Sequence, residues 1–210
     1  MKIDGQYLFH GPQAAAWEIV RDPEVLATAL PGTKSLDKVG ENEYTGEMNV
    51  RIGPVSGLFS GRLVVSNEVP PVSCTLTVEG RGSPGFLSGA GNINLSDQGD
   101  GTTLLNYDGE VQIGGRLASV GQRLLDTASK SLIRQGLEAI DLALQARLAA
   151  QSTGEPVEYA PPTESQFVKA VAKDMAGELF SRSRLTWLIV GALVILAILA
   201  AIWIGGGFGN

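Results

Sequence analysis

The sequence is poor in residues that bind metals or crosslink a chain. It contains one cysteine, Cys74, and one histidine, His10, among 210 residues. A single cysteine cannot form an intramolecular disulfide, and one cysteine with one histidine does not supply the ligands of a zinc site. We therefore expect neither a disulfide nor a bound metal.

Positive charge is also scarce, since 16 lysines and arginines stand against 22 acidic residues and give a net charge of −6. This balance argues against a face that binds nucleic acid. The chain does not open with a charged segment followed by an apolar core, so we predict no secretory signal and a cytoplasmic folded part. With 44% hydrophobic residues, the chain can form one folded domain and a tail.

The sequence contains no recognisable catalytic motif. No spacing ties His10 to a serine, a cysteine or a pair of carboxylates, so we interpret it as a turn or surface residue. The carboxylates of the strand-like region follow the alternation that is typical of solvated faces. They are Glu47, Glu68, Glu79, Asp108 and Glu110. We predict that the protein is not an enzyme, with no catalytic residues.

A long amphipathic helix is predicted over residues 115–150. Its polar residues recur at spacings of three and four and form one stripe, which we expect to face water. The stripe consists of Arg123, Thr127, Lys130, Arg134, Glu138, Asp141 and Gln145. The remaining surface is a broad apolar arc suited to lie on a sheet. The arc includes Leu117, Leu125, Leu132, Ile140, Leu142 and Leu144.

The residues before this helix predict an antiparallel sheet, because stretches of alternating polarity are separated by turn residues every eight to twelve positions. Strands are expected near 3–10, 33–39, 43–52, 58–69, 73–83, 88–97 and 102–113. Two short helices, near 13–21 and 22–27, separate the first two strands. Seven antiparallel strands around one long helix make an α+β fold, and such a fold often leaves a cavity between helix and sheet.

Glycines are concentrated in two neighbouring predicted strands and the turn between them. They are Gly80, Gly82, Gly85, Gly89 and Gly91. A glycine inside a strand marks a bulge or a bend, or lets another molecule approach the backbone. Curvature of the sheet around the helix is the simpler interpretation, and clearance for a ligand is compatible with it.

Candidate cavity residues come from three regions of the chain, although each would serve equally well in an ordinary core. The short helices and the segment after them supply Trp17, Val20, Leu26 and Leu30. The strands supply the aromatic residues Phe59, Phe86 and Tyr107. The start of the long helix supplies Leu117, Val120, Gly121, Leu124 and Ala128.

The chain changes character after residue 150. Residues 151–162 are polar and contain prolines, which predicts a flexible linker. Residues 163–184 begin with a capping-box pattern and predict an amphipathic juxtamembrane helix, either on the membrane surface or in solvent. Residues 205–210 form a short tail.

Residues 185–204 carry no charge and predict a transmembrane helix, because a helix of that length is about 30 Å long and matches the hydrocarbon thickness of a bilayer. Its ends are marked by Leu185, Trp187, Trp203 and Ile204, and tryptophan prefers the interface. Arg182 and Arg184 precede the span, which predicts a cytoplasmic domain held at the cell membrane by a single-pass C-terminal anchor.

Three stretches of the chain carry a resemblance to a known family. They are Ala-Leu-Pro-Gly at 29–32, Val-Arg-Ile-Gly-Pro-Val-Ser-Gly-Leu-Phe-Ser-Gly at 50–61 and Gly-Gly-Arg-Leu-Ala-Ser-Val-Gly at 114–121. The order of elements resembles the helix-grip fold of the START-like SRPBCC superfamily. Within it, residues 1–147 resemble the CoxG family of carbon monoxide dehydrogenase.

The resemblance implies a non-catalytic accessory of a CO dehydrogenase or a related molybdenum hydroxylase. It also implies work at the membrane and, for some members, a lipophilic quinone such as menaquinone or ubiquinone, held without a covalent bond. We therefore expect a quinone carrier between enzyme and membrane. One alternative is a docking factor that recruits the dehydrogenase without a ligand. Another is a cyclase or hydrolase of the same fold, which would need a polar catalytic pair in the cavity.

Overall fold

In the computed structural model, which describes residues 1–30 and 32–153, seven strands and three α-helices follow the predicted order. The elements are β1 (Lys2–Phe9), α1 (Gln13–Ile19), α2 (Pro23–Ala29), β2 (Thr33–Lys38), β3 (Glu43–Ile52), β4 (Val55–Val69), β5 (Ser73–Gly82), β6 (Gly85–Asp97), β7 (Thr103–Gly114), a 3₁₀ helix (Gly115–Val120) and α3 (Gln122–Thr153). The α+β class and the long C-terminal helix of the prediction are confirmed.

The strands form one antiparallel sheet in the order β1-β7-β6-β5-β4-β3-β2. Every strand from β2 to β7 pairs with its neighbour in sequence, as expected for strands joined by short turns. β1 instead pairs with β7, from Lys2 opposite Glu110 to Phe9 opposite Thr103. β5 is therefore the central strand, and β1 and β2 are the two edges.

α2 begins where the sequence predicts a helix start. Pro23 occupies the first turn, where its missing N–H costs nothing. The carboxylate of Asp22 accepts hydrogen bonds from the backbone N–H groups of Glu24 at 3.0 Å and Val25 at 3.4 Å. This cap satisfies two donors that the helix itself leaves without acceptors.

The predicted helix over 115–150 is not continuous. A 3₁₀ helix ends at Gly121, whose φ of 92° is a conformation that glycine adopts far more readily than other residues. α3 starts at Gln122 and runs for 32 residues to Thr153, beyond the predicted end. The apolar spacing does not reveal the break, because Leu117 and Val120 pack in the same cluster as Leu124.

Two residues of α3 lie on the opposite side from the one predicted. Asp141, assigned to the water-facing stripe, is only 3% exposed, whereas Leu142, assigned to the apolar arc, is 54% exposed. The end of β1 covers this part of α3, where Asp141 bonds to His10. The adjacent residue, about 100° further round the helix, then points outward. The other six polar residues of the stripe are exposed or partly exposed.

The core consists of two separate clusters between the sheet and the helices. The large cluster lies under α1, α2 and the second half of α3, and includes Phe9, Trp17, Ile19, Leu95, Leu105, Ile140 and Leu144. The small cluster lies under the 3₁₀ helix and the start of α3, and consists of Ile52, Phe59, Leu117, Leu125 and Ala128 with partly buried neighbours.

The predicted linker beyond residue 153, the juxtamembrane helix, the transmembrane helix and its anchor residues Leu185, Trp187, Trp203 and Ile204 lie outside the described residues. In the part of the chain that the structure describes, no helix combines the length and apolarity needed to cross a bilayer.

Candidate ligand-binding site

A band of glycines separates the two clusters on the face of the sheet that is turned towards α3. Each strand except the edge strand β2 passes from the large to the small cluster through a short stretch that belongs to neither. Each of these stretches contains glycine, and several are paired across strands: Gly46 with Gly61, Gly61 with Gly80, and Gly91 with Gly109. The glycine band consists of Gly5, Gly46, Gly61, Gly80, Gly89, Gly91 and Gly109.

The glycine band allows neighbouring strands to curve closely around one another. A Cβ atom on Gly91 would stand 2.8 Å from the carbonyl oxygen of Asp108, and one on Gly109 would stand 2.7 Å from that of Ala90. Cβ atoms essentially never come within 3.0 Å of another heavy atom, so a side chain here would force the strands apart. The structure thus bears out curvature as one reason for these glycines.

The same band leaves a cleft between the sheet and α3. The main approaches of α3 to the sheet are to β1 and β3, on the two sides of the arch, rather than to the central strand β5. Val78 lies on the inner face of β5, between Leu63 and Gly89 in register, yet it is 37% exposed. Solvent therefore reaches the inner face of the sheet at its centre.

The helix side of the cleft carries small and aliphatic residues. At the level of the glycine band, between Ala128 and Ala139, α3 has buried Ser131 and half-buried Leu132. The amide of Gln135 donates a hydrogen bond to the Ser131 hydroxyl at 2.8 Å. The walls are therefore largely apolar, and none of the wall residues named here is ionisable. Such a cleft suits an apolar guest that has few polar groups.

The structure distributes the predicted cavity residues over both clusters. The large cluster or its packing shell holds Trp17, Val20, Leu26 and Tyr107. The small cluster or its packing shell holds Phe59, Leu117, Val120, Leu124 and Ala128. Leu30 approaches α3 beside the buried Gly136. These residues flank the cleft at its two ends, and the glycine band and Val78, which sequence analysis does not assign, lie between them.

Two predicted residues do not join the others. Phe86 is 47% exposed on the convex face of the sheet, where its ring covers Gly114 of β7. The reason is the alternation of β6, which begins at Gly85 and turns Leu87, not Phe86, towards the small cluster. Gly121 is exposed at the break before α3 and has no neighbour that an added Cβ would meet.

Sequence analysis misses a polar network at the large-cluster end of the domain. The buried carboxylate of Asp141 accepts hydrogen bonds from the backbone N–H of His10 at 2.8 Å and from Nε2 of Gln145 at 3.0 Å. Nδ1 of His10 lies 2.7 Å from Oδ2, and the Tyr7 hydroxyl donates at 3.5 Å. Burial, followed by the charges of Asp141 and Glu138, raises the pKa of Tyr7 to about 12. The only signal in the sequence is that Asp141 interrupts an otherwise apolar run at 139–144.

The sequence profile of the CoxG family, named after the CoxG subunit of carbon monoxide dehydrogenase, matches residues 5–145. The chain belongs to the CoxG family. The match runs from β1 through most of α3, so both walls of the cleft belong to the part that CoxG proteins share. No curated protein sequence matches the chain.

Solved structures place this CoxG chain in the START-like fold. A conserved protein from Geobacillus kaustophilus is 30% identical, with a TM-score of 0.67, and the match covers 69% of this chain and 95% of that one. A START superfamily protein from Mycobacterium smegmatis is 14% identical, with a TM-score of 0.53 and coverage of 69% and 97%. The ZhuI aromatase/cyclase from Streptomyces sp. R1128 is 12% identical, with a TM-score of 0.53 and coverage of 72% and 97%.

At such low identity, the Mycobacterium and Streptomyces structures show the shared fold and nothing about chemistry. The neighbours of this CoxG chain include a cyclase, whereas its own family is named after a component of a dehydrogenase. Family and fold together support a ligand-binding domain with an accessory role.

Proposed function

We propose that the protein binds one lipophilic molecule in the cleft between the glycine band and α3. The observation that carries this proposal is the exposure of Val78 at the centre of the inner face, where a filled core would bury it. Water in an apolar cleft is displaced favourably by an apolar guest. Burial of about 300 Å² of such a guest at about 25 cal/mol per Å² gives about 7 kcal/mol before association costs.

The family supports a more specific proposal. As a CoxG protein, the chain would serve a CO dehydrogenase or a related molybdenum hydroxylase, and the guest would be a quinone such as menaquinone or ubiquinone. Its isoprenoid tail would lie along the cleft beside Leu117, Val120 and Leu124. The uncharged stretch at 185–204 would hold the domain at the cytoplasmic face of the cell membrane, where the guest could pass to and from the bilayer.

The cleft offers a matched pair of variants for testing ligand binding. Val78→Phe adds a ring on the inner face of β5, whereas Thr77→Phe adds the same ring one residue away on the outer face. The full-length chain would be purified, extracted with organic solvent and analysed for quinones by absorbance and mass spectrometry. We expect the wild-type chain and Thr77→Phe to retain the quinone, and Val78→Phe to lose at least about nine-tenths of it.

Three results would count against parts of this proposal. An extract of the wild-type chain without any apolar molecule would remove the carrier function. An extract with phospholipid alone would remove the quinone. If Val78→Phe lost the ligand but still supported full electron transfer from the dehydrogenase to the membrane, the domain would act by recruitment only.

A further inference from the structure

One end of the domain carries an unusual concentration of positive charge. Three chain reversals meet at this end, namely the β3–β4 turn, the β5–β6 turn and the passage from β7 through the 3₁₀ helix into α3. The corresponding residues 48–61, 80–91 and 111–125 contain four arginines but no lysine, aspartate or glutamate. We call this surface the arginine end, defined by Arg51, Arg81, Arg116 and Arg123. It stands out in a chain whose net charge is −6.

The arginines of this end differ from the other arginines of the described residues in their partners. Each of the other four lies beside a carboxylate: Arg21 with Glu68, Arg62 with Glu43, Arg134 with Glu138 and Arg147 with Asp22. At the arginine end, no guanidinium forms an ion pair with a described residue. Arg116 donates to the carbonyl oxygen of Ser83 at 3.3 Å, which leaves its charge uncompensated. Four cations are thus available to an external anion.

Two of these arginines are tied together by the β5–β6 turn. Arg81 pairs in register with Phe86, whose ring covers Gly114 directly before the 3₁₀ helix that carries Arg116. The hydrogen bond from Arg116 to Ser83 closes this group.

The other two arginines meet at the β3–β4 turn. The side chain of Leu124 lies against this turn, 3.0 Å from the position of a Cβ on Gly53. Arg123 therefore stands next to the turn, two residues from which lies Arg51. All four arginines surround the small cluster, which is the more open of the two ends of the cleft, since Val55, Val120 and Leu124 are only partly buried there.

Apolar side chains are exposed on the same surface. Leu58 is 38% exposed at the start of β4, and Phe86 is 47% exposed at the start of β6. Arginine next to exposed leucine and phenylalanine is the combination that peripheral proteins use at a bilayer surface, where cations meet lipid phosphates and apolar groups enter the interface.

We propose that the arginine end docks the domain on the surface of an anionic phospholipid bilayer. Guanidinium groups bind phosphate oxygens in a two-pronged geometry, and the absence of carboxylates in the three segments removes repulsion from a negative surface. An acidic protein would match the charge as well. The bilayer is favoured because it also accounts for Phe86 and Leu58, and because the same chain carries the predicted transmembrane stretch at 185–204.

Docking in this orientation would bring the small-cluster end of the cleft to the bilayer. The inference concerns the charged surface only and does not depend on the cleft holding a ligand. Its test therefore uses no ligand readout, and its failure would be distinguishable from failure of the carrier proposal.

Hydrogen exchange measured by mass spectrometry tests the docking surface in the full-length chain. The chain would be reconstituted into vesicles of phosphatidylcholine alone or with about one-third phosphatidylglycerol. We expect exchange over 48–61, 80–91 and 111–125 to slow by about threefold or more on the anionic vesicles only. Raising the salt concentration should reverse the effect, since it screens exposed charges.

Two double variants remove the same charge from different places. Arg81→Gln with Arg116→Gln should abolish the slower exchange on anionic vesicles. Lys34→Gln with Lys38→Gln removes two exposed cations from the edge strand β2 and should leave it unchanged. An unreactive Cys74 thiol would show that each variant is folded, because that side chain is buried in the large cluster.

The proposal would be overturned by equal protection on both kinds of vesicle, or by an equal loss of protection in both double variants. It would also be overturned if only an added acidic protein, such as the dehydrogenase, protected these segments, which would make the surface a protein interface. Full competition by inorganic phosphate at the same ionic strength would instead indicate an ion site.

Discussion

Asp141 of α3 holds His10 of the β1–α1 turn at two points, although the residues are 131 positions apart in the chain. Its carboxylate accepts the backbone N–H of His10 at 2.8 Å and lies 2.7 Å from the ring nitrogen Nδ1. Gln145 and Tyr7 donate to the same carboxylate. A single buried side chain therefore fastens the end of β1 to the long helix.

Removal of this carboxylate should destabilise the domain strongly. Asp141→Ala leaves the backbone N–H of His10 and the amide of Gln145 without their acceptor in a buried place, and we expect a loss of about 3 kcal/mol in the free energy of unfolding. Glu138→Gln is the matched control one turn earlier, because Glu138 forms an exposed pair with Arg134; its loss should stay below about 0.5 kcal/mol. Denaturant titration of Cys74 accessibility measures both. Similar small losses would show that the network is dispensable.

Cys74 should behave as a reporter of global unfolding. It is the only cysteine in the sequence and is buried in the large cluster. Burial raises the pKa of its thiol, the charge of Glu68 adds to the rise, and Arg21 opposes it. Because the thiolate is the reactive species, we expect labelling at pH 8 to be at least about 100-fold slower in buffer than in denaturant. A native labelling rate close to that of a free thiol would contradict the burial.

Acid should weaken the domain partly through Asp22. Burial raises the pKa of this carboxyl, but hydrogen bonds from Arg147, Val25 and Glu24 outweigh the rise, so the net pKa lies below the usual 3.8. A carboxylate with a depressed pKa in the folded state stabilises it above the unfolded pKa of about 3.9 and loses this contribution as the pH falls through the folded value.

Asp22→Asn keeps a side-chain oxygen for the helix cap but removes the charge. We expect it to cost about 1 kcal/mol at pH 6 and close to nothing at pH 3. Unfolding midpoints at the two pH values measure this difference. An equal cost at both pH values would assign the effect to the cap and not to the ion pair with Arg147.

The glycine band should tolerate no side chain where strands approach each other closely. In Gly109→Ala the new methyl group would meet the backbone of β6, and we expect a loss of about 1–3 kcal/mol in the free energy of unfolding. Gly40→Ala in the exposed β2–β3 turn meets only the side chain of Glu43 at 3.3 Å and should change stability by less than about 0.5 kcal/mol. Comparable effects would mean that the sheet relaxes around the added atom.

The strands can be predicted because their turns are signalled locally. Residues 40–42, 70–71 and 98–101 combine glycine, proline and polar residues, and each marks a reversal between two alternating stretches. The number and order of the strands follow from these signals. The break at Gly121 cannot be predicted in the same way, since Leu117, Val120 and Leu124 keep the spacing of an uninterrupted helix.

The site depends on information that a linear pattern does not contain. Gly46, Gly61 and Gly80 become neighbours only after three strands are paired, so the band is invisible before the register is known. The assignment of Phe86 to the cavity is wrong because the predicted start of its strand, at 88, leaves its side undetermined. His10 looks like a lone residue in the sequence because its partner, Asp141, fits the polar stripe of the helix.

The direction of α3 has a consequence for the way the chain is anchored. Its 32 residues rise about 48 Å from the arginine end towards the large cluster, so the polypeptide leaves the domain at the pole remote from the arginines. With a span at 185–204, residues 154–184 could bridge about 100 Å at full stretch, which is enough for the domain to turn upside down and touch the bilayer. Shortening that tether to fewer than about ten residues should keep the domain upright, with its arginines facing the cytoplasm and its anchor intact.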